Sequence, residues 1–452
     1  MVAAALGLGV ATTPLARADA PPAREVIVIS APGDPAGARG RAHAHGARID
    51  RDLGLINGVA AQATADQVAA MQAEGEQVWP DNPVRLDGTP GAPHAPSGVF
   101  PQVTGASPVV AAGGDGSGVT VAVIDTGVDP LPDFGNRLSA GVDLSGEGNA
   151  LADGYGHGTF VAGLIAGNGA SSGGQYVGEA PGANLVAVKV AGASGQTDEA
   201  SVIAGLGWVL FNRNSRHISV VNLSLGEDAS QSTLLDPLDQ AVELLVRSGI
   251  TVVTSAGNYG PANGSIAAPG DDPMAITVGS MDDGGGVDPA QYSIPSFSSV
   301  GPTYADGWYK PDLVAPGRSV VSLRAPGSAI DTAYPSAEVG AANFVGSGTS
   351  FSAGITSGAV ALLLQAHPSW KPSQVKGALL ATARPGPVGN PFVDGHGLLA
   401  VDAAVASNPV SVSVPGPAQL PPGVTAPAPA PGGGSTPAVP LPYAWWYSTW
   451  NP

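Results

Sequence analysis

Four segments of this 452-residue chain carry side chains that could perform nucleophilic chemistry together: "GSGTSFSAG" with Ser350, "VAVIDTGVD" with Asp125, "DGYGHGTFVAGLIAG" with His157 and "SAGNYG" with Asn258. Ser350 stands in a turn of glycine and small hydroxyl residues, directly before the apolar run "ITSGAVALLL". A helix starting there would hold the serine oxygen at its N-terminus, where free N–H groups and the helix dipole favour developing negative charge. A plainer reading exists for each residue alone. Ser350 could simply cap its helix, Asp125 a turn and His157 a helix, and Asn258 could occupy a left-handed turn.

The elements that position these residues decide between the readings. Residues 118–125, 184–190, 218–226, 250–258 and 274–280 are continuous apolar runs, as expected for strands buried on both faces. Helical stretches separate them: "HGTFVAGLIAG", "TDEASVIAGLGWVLFN" and "LLDPLDQAVELLVRSG". That alternation predicts an α/β fold with a doubly wound parallel sheet and right-handed crossovers. Ligands of such sheets bind outside the carboxyl ends of the strands. Asp125 ends the first strand, Ser224-Leu225-Gly226 the third and Asn258 the fourth, while His157 and Ser350 open helices. Convergence of an aspartate, a histidine, an asparagine and a serine on one sheet edge favours the chemical reading.

These segments, in the order Asp, His, Ser, resemble the subtilisin-like serine proteases over residues 105–405. The resemblance implies Ser350 as nucleophile, His157 as general base and Asp125 as the group that orients the imidazole and stabilises its cation. It implies Asn258 and the Ser350 backbone N–H as oxyanion donors. Substrate would pair in extended form with the edges at 224–226 (Ser224, Leu225, Gly226) and 193–197. Ala256, Gly257, Tyr259 and Ala267 would wall the pocket for the residue before the cut, which favours a neutral, apolar side chain. Glu227 nearby offers a second reading, attraction of a basic residue.

Residues 22–85 read strand-helix-strand-strand-helix-strand, the ferredoxin-like order. By resemblance this small α+β unit is a propeptide that assists folding and inhibits its own enzyme, with self-cleavage between Leu86 and Ala106. Residues 86–105, rich in Pro and Gly, read as an exposed linker and residues 106–405 as the catalytic unit. Two departures from the family pattern stand out. Gly354 occupies the position, four residues after the nucleophile, where the family usually has proline. The loop after the histidine helix offers few oxygen ligands beyond Asn168 and Glu179, so no calcium site is assigned, although structural calcium would fit the family. No cofactor is needed for the chemistry. Asp271-Asp272 and "MDDGGGVD" could bind calcium, but read more readily as solvated acidic loops.

Composition bounds the partners. A net charge of −18 leaves no basic stripe for nucleic acid. Cysteine is absent, which excludes disulfides, thiolate metal sites and a cysteine nucleophile. Residues 1–20 hold an apolar stretch followed by small-x-small patterns at 16–20, the signature of a secretory signal, and no other segment reads as a membrane span. From 406 to 452 the chain is a Pro/Gly/Ser/Ala tract ending in Trp445, Trp446, Tyr447 and Trp450. The expectation is a secreted or cell-surface monomer acting on proteins or peptides. The alternatives are a weakly active or inactive scaffold of the same fold and a narrow processing protease.

Overall fold

The computed structural model describes residues 22–30, 37–86, 89–90 and 98–408. The expected signal segment and nearly all of the aromatic-ended tail lie outside them.

Two units share one interface. In the leader, strands Arg24–Ile29, Arg48–Leu53, Gly58–Ala63 and Gln77–Pro80 form an antiparallel sheet in which the first strand lies between the third and fourth. Helices Gly37–Ala44 and Ala65–Ala73 complete the ferredoxin-like order. Thr64 starts the second helix through a capping box: its hydroxyl accepts from the Gln67 N–H, and the Gln67 side chain accepts from the Thr64 N–H. The end of the first strand, "VIVI", is buried on both faces for a physical reason. Val26 and Val28 pack with Val68 and Met71 under the leader's own helices. Ile27 and Ile29 instead join a core built with Val202, Leu206 and Val242 of the second unit.

The second unit is built on seven parallel strands. Across the sheet they run Leu313–Pro316, Ile276–Met281, Thr251–Ser255, Ile218–Leu223, Thr120–Asp125, Asn184–Lys189 and Leu138–Asp143. Five match the apolar runs. Leu138–Asp143, at the edge and partly exposed, and the short Leu313–Pro316 lack that signature. The chain moves to one side of Thr120–Asp125 and then returns to the other, so the topological switch lies between this strand and Ile218–Leu223.

Helix Thr349–Ala366 is apolar and long enough to cross a membrane, but it is buried along nearly all of its length inside the unit. It packs against helix His157–Ala166. Gly354 sits at their contact: a Cβ there would lie 3.3 Å from Val161 Cγ1. The stretch expected to be an exposed linker is partly folded. Helix Phe100–Val103 buries Phe100 in the main core and Val103 in a smaller cluster. Of the two acidic loops expected to be solvated, Asp271-Asp272 differs, since both residues are buried, while "MDDGGGVD" is mostly exposed apart from Met281 and Asp283.

Candidate active site

Asp125 ends its strand with a carboxylate held in place. Its Oδ1 accepts from the Thr126 N–H at 2.8 Å, and His157 Nδ1 lies 2.8 Å from the same oxygen and 3.0 Å from Oδ2. Both side chains are buried. The histidine helix is pressed onto this strand end. A Cβ on Gly158 would lie 2.1 Å from the Gly127 carbonyl oxygen and 3.1 Å from Asp125 Cβ, which explains the glycine after His157. The His157 ring packs beside Phe351, with centroids 5.7 Å apart, and Phe351 in turn meets Phe160. Since Phe351 follows Ser350, this contact brings the histidine helix to the start of the serine helix.

Asp153 is a positioning residue that sequence reasoning missed. Its buried carboxylate accepts from the Gly156 and Thr159 N–H groups, each at 2.7 Å, and from the Thr126 hydroxyl at 2.7 Å. Thr126 in turn accepts from the Gly158 N–H. Asp153 therefore serves the free N–H groups opening the His157 helix and links them to the turn beside Asp125. An aspartate three residues before the glycine that caps a helix start is the signal that could have found it.

At the serine, the Ser350 hydroxyl donates to the Ser224 carbonyl at 3.0 Å, and the Ser224 hydroxyl donates to the Ser350 carbonyl at 2.8 Å. Asn222 donates to Ser224 and accepts from Ser357, which fixes the helix start to the end of strand Ile218–Leu223. Asn258 Oδ1 accepts from both the Thr349 N–H and the Thr349 hydroxyl, at 3.0 and 3.1 Å. Two donors on one oxygen settle which end of the amide is which, so Nδ2 is the end directed away from Thr349.

The expected pocket walls are mutual neighbours. The Ala267 N–H donates to the Ala256 carbonyl, and a Cβ on Gly257 (φ +100°) would meet Ala267 Cβ at 2.9 Å and Tyr259 Cδ2 at 3.2 Å. Glu227, considered as a lure for basic side chains, is buried and turned into a cluster of carboxylates. It carries no charge on the pocket surface.

The two expected substrate edges are already occupied. Leader strand Pro83–Leu86 lies between them as the middle strand of a small antiparallel sheet: Arg85 opposes Gln196 and Gly226, and Leu86 opposes Leu225. Thr89–Pro90 then pairs with the far side of the site, Thr89 opposite Ser347 and Pro90 opposite Gly346.

The subtilase family model (peptidase S8) matches residues 116–397, more than half of the chain and all four candidate catalytic residues. The chain belongs to the subtilase family. Among its relatives is serine protease AprX of Bacillus subtilis, 43% identical over 266 residues, or 58% of this subtilase and 60% of AprX. Subtilisin NAT of Bacillus subtilis subsp. natto is 36% identical over 292 residues, 64% of this chain and 66% of that protein. The matches thus take in less than two thirds of either relative's length. Among solved structures, fervidolysin from Fervidobacterium pennivorans, described as a keratinolytic enzyme related to subtilisin, superposes with a TM-score of 0.68. It covers 89% of this subtilase and 63% of that chain at 23% identity, a likeness of fold.

Proposed function

We propose that this subtilase is a serine endopeptidase made as a secreted, self-cleaving zymogen, with Ser350 as nucleophile and His157 and Asp125 as its base and orienting carboxylate. A serine hydroxyl is almost fully protonated at neutral pH, so attack on a carbonyl needs an adjacent base. The buried Asp125 carboxylate against Nδ1 fixes the imidazole tautomer that leaves Nε2 as acceptor. On this reading the Ser350 hydroxyl, which rests on the Ser224 carbonyl, must turn toward the imidazole for proton transfer. Asn258 Nδ2 and the Ser350 N–H are the donors for the oxyanion. The walls Ala256, Gly257, Tyr259 and Ala267 carry no charge, which favours a neutral, apolar residue before the cut.

The observation that carries this reading is the path of the leader. Its chain enters along the Leu225–Gly226 edge and leaves along Ser347, three residues before Ser350. An extended peptide paired on both sides of a nucleophile is the arrangement of a bound substrate. The leader therefore blocks the cleft until it is cut, and the cut falls between Leu86 and Thr89. Expression of the full chain should yield a product whose N-terminus is residue 87, 88 or 89, read by intact mass and terminal sequencing. Ser350→Ala should keep its leader attached. A processed Ser350→Ala protein, expressed in a host lacking extracellular proteases, would overturn the proposal. Secretion rests on residues 1–20, and a monomer is the expected state.

A further inference from the structure

We propose that Glu199, Glu227 and Asp236 form a divalent-cation site of the calcium class, which ties together the two walls of the substrate cleft. The three carboxylates come from separate parts of the chain, yet one oxygen of each lies within 4.8 Å of the others. All three residues are buried, Glu199 completely. No well-formed hydrogen bond reaches either oxygen of Glu199 or Glu227, whose favourable dipoles are the Asn82 N–H and side-chain amide. The fully buried Asp239 beside them has no partner either among the described residues. Burying an ionised carboxylate without a partner is costly, so such groups are normally paired or bound to a metal. Here the strongest charges acting on Glu199 are other carboxylates: Glu227, Asp236 and Asp81. Those on Glu227 are Asp236, Asp271 and Asp81.

Donor type selects the class of ion. All three side chains offer carboxylate oxygens, with no histidine or cysteine, which suits a hard cation. Three oxygens within 4.8 Å of one another can share one such ion, and a cage of protein carboxylates suits calcium better than magnesium, which dehydrates reluctantly and keeps several waters. Asp236 is held in position by the Leu238 and Asp239 N–H groups and by the Gln231 amide.

The location gives the site a role. Glu199 directly follows edge strand Gln196–Asp198, and Glu227 directly follows edge strand Leu225–Gly226. These strands flank Pro83–Leu86. A cation shared by the two glutamates fixes the spacing of the cleft walls from behind. The leader closes the same spot: Asn82 accepts the Glu199 N–H, Asp81 accepts the Ala200 N–H, and the Asn82 side chain neighbours Glu227.

The test uses the full-length Ser350→Ala chain, which is stripped with EDTA and titrated calorimetrically with calcium chloride alone. One bound equivalent should disappear, or weaken by about tenfold or more, in both the Glu227→Gln and Glu199→Gln backgrounds. Calcium should raise the melting temperature of the parent and leave that of Glu227→Gln nearly unchanged. In EDTA, Glu227→Gln should melt at or above the parent, because a charge has left the cluster. Absence of calcium uptake by the parent would overturn the site, as would unchanged stoichiometry and affinity in both variants. A Glu227→Gln protein less stable in EDTA than the parent would also count against it. The effect on catalysis rests on the proteolytic reading: EDTA should raise KM for long peptides more than for single-residue esters. Cation binding does not depend on that reading, so the two can fail separately.

Discussion

His157 Nδ1 lies 2.8 Å from Asp125 Oδ1, and neither side chain reaches solvent. An imidazole that gains a proton here meets a fixed negative charge in a medium that screens poorly. Asp125→Asn keeps the shape but presents the wrong hydrogen-bonding partner to the ring. Turnover of a peptide substrate should fall by about 10⁴-fold with little change in KM. Stopped assays on trans-processed protein measure this, and a loss below tenfold would remove Asp125 from the mechanism.

The pairing of Asn258 with Thr349 leads to a second expectation. Asn258→Ala deletes one of the two proposed oxyanion donors and should cost about 2.7–4 kcal/mol in the transition state, seen in kcat rather than KM. Thr349→Val removes only the hydroxyl that helps orient Asn258. Its loss of kcat should be smaller, and combined with Asn258→Ala it should add little, because both changes act through one amide.

Glu179 predicts a pH effect on stability. It is fully buried, with one hydrogen bond from the Thr104 hydroxyl, and burial pushes its carboxyl up to about 8. Between its ordinary value of 4.5 and about 8, the folded protein holds a proton that the unfolded chain has released. Stability therefore falls as pH rises through that window, by up to about 1.4 kcal/mol per unit. Glu179→Gln should remove this slope, with a higher melting temperature than the parent at pH 8 and a similar one at pH 4. Parallel melting curves across this range would contradict the assignment.

Asp312 has the opposite sign. Its buried carboxylate takes hydrogen bonds from Lys310 and Lys376, at 2.8 and 2.9 Å. Despite burial, the two ammonium groups hold its carboxyl below the ordinary value of 3.8, so its contribution is lost only as pH falls through that lowered value. Burial pushes Lys376 down to about 8. Asp312→Asn leaves two buried ammonium groups without their counter-charge and should cost about 3–5 kcal/mol in urea denaturation at pH 7. A cost below 1 kcal/mol would show that the carbonyls of Pro273 and Ala275, which also accept from these lysines, suffice.

Much of this arrangement was legible in the chain because its signals are local. Val121, Val123 and Leu223 belong to runs whose apolar continuity marks strands buried on two faces, and Ser350 and His157 stand beside glycine-marked helix starts. The acidic cluster was not legible. Glu227 and Asp271 follow a strand and a proline turn, positions that usually face water, and their burial comes from segments distant in sequence that close over them. The strand Pro83–Leu86 was hidden for a related reason. The "PDNP" turn breaks it from "QVWP", but only the two edges in the second unit show that "PVRL" forms a strand of its own. Gly354 gains its meaning from Val161 on a neighbouring helix. In each case the deciding contact is long-range.

The most direct test of the central claim is active-site labelling. The processed protein, treated with a fluorophosphonate probe and digested, should carry the label on Ser350 alone, and His157→Ala protein whose leader has been removed in trans should take up almost none on the same timescale. Labelling at another serine, or equal labelling of the His157→Ala protein, would contradict the account.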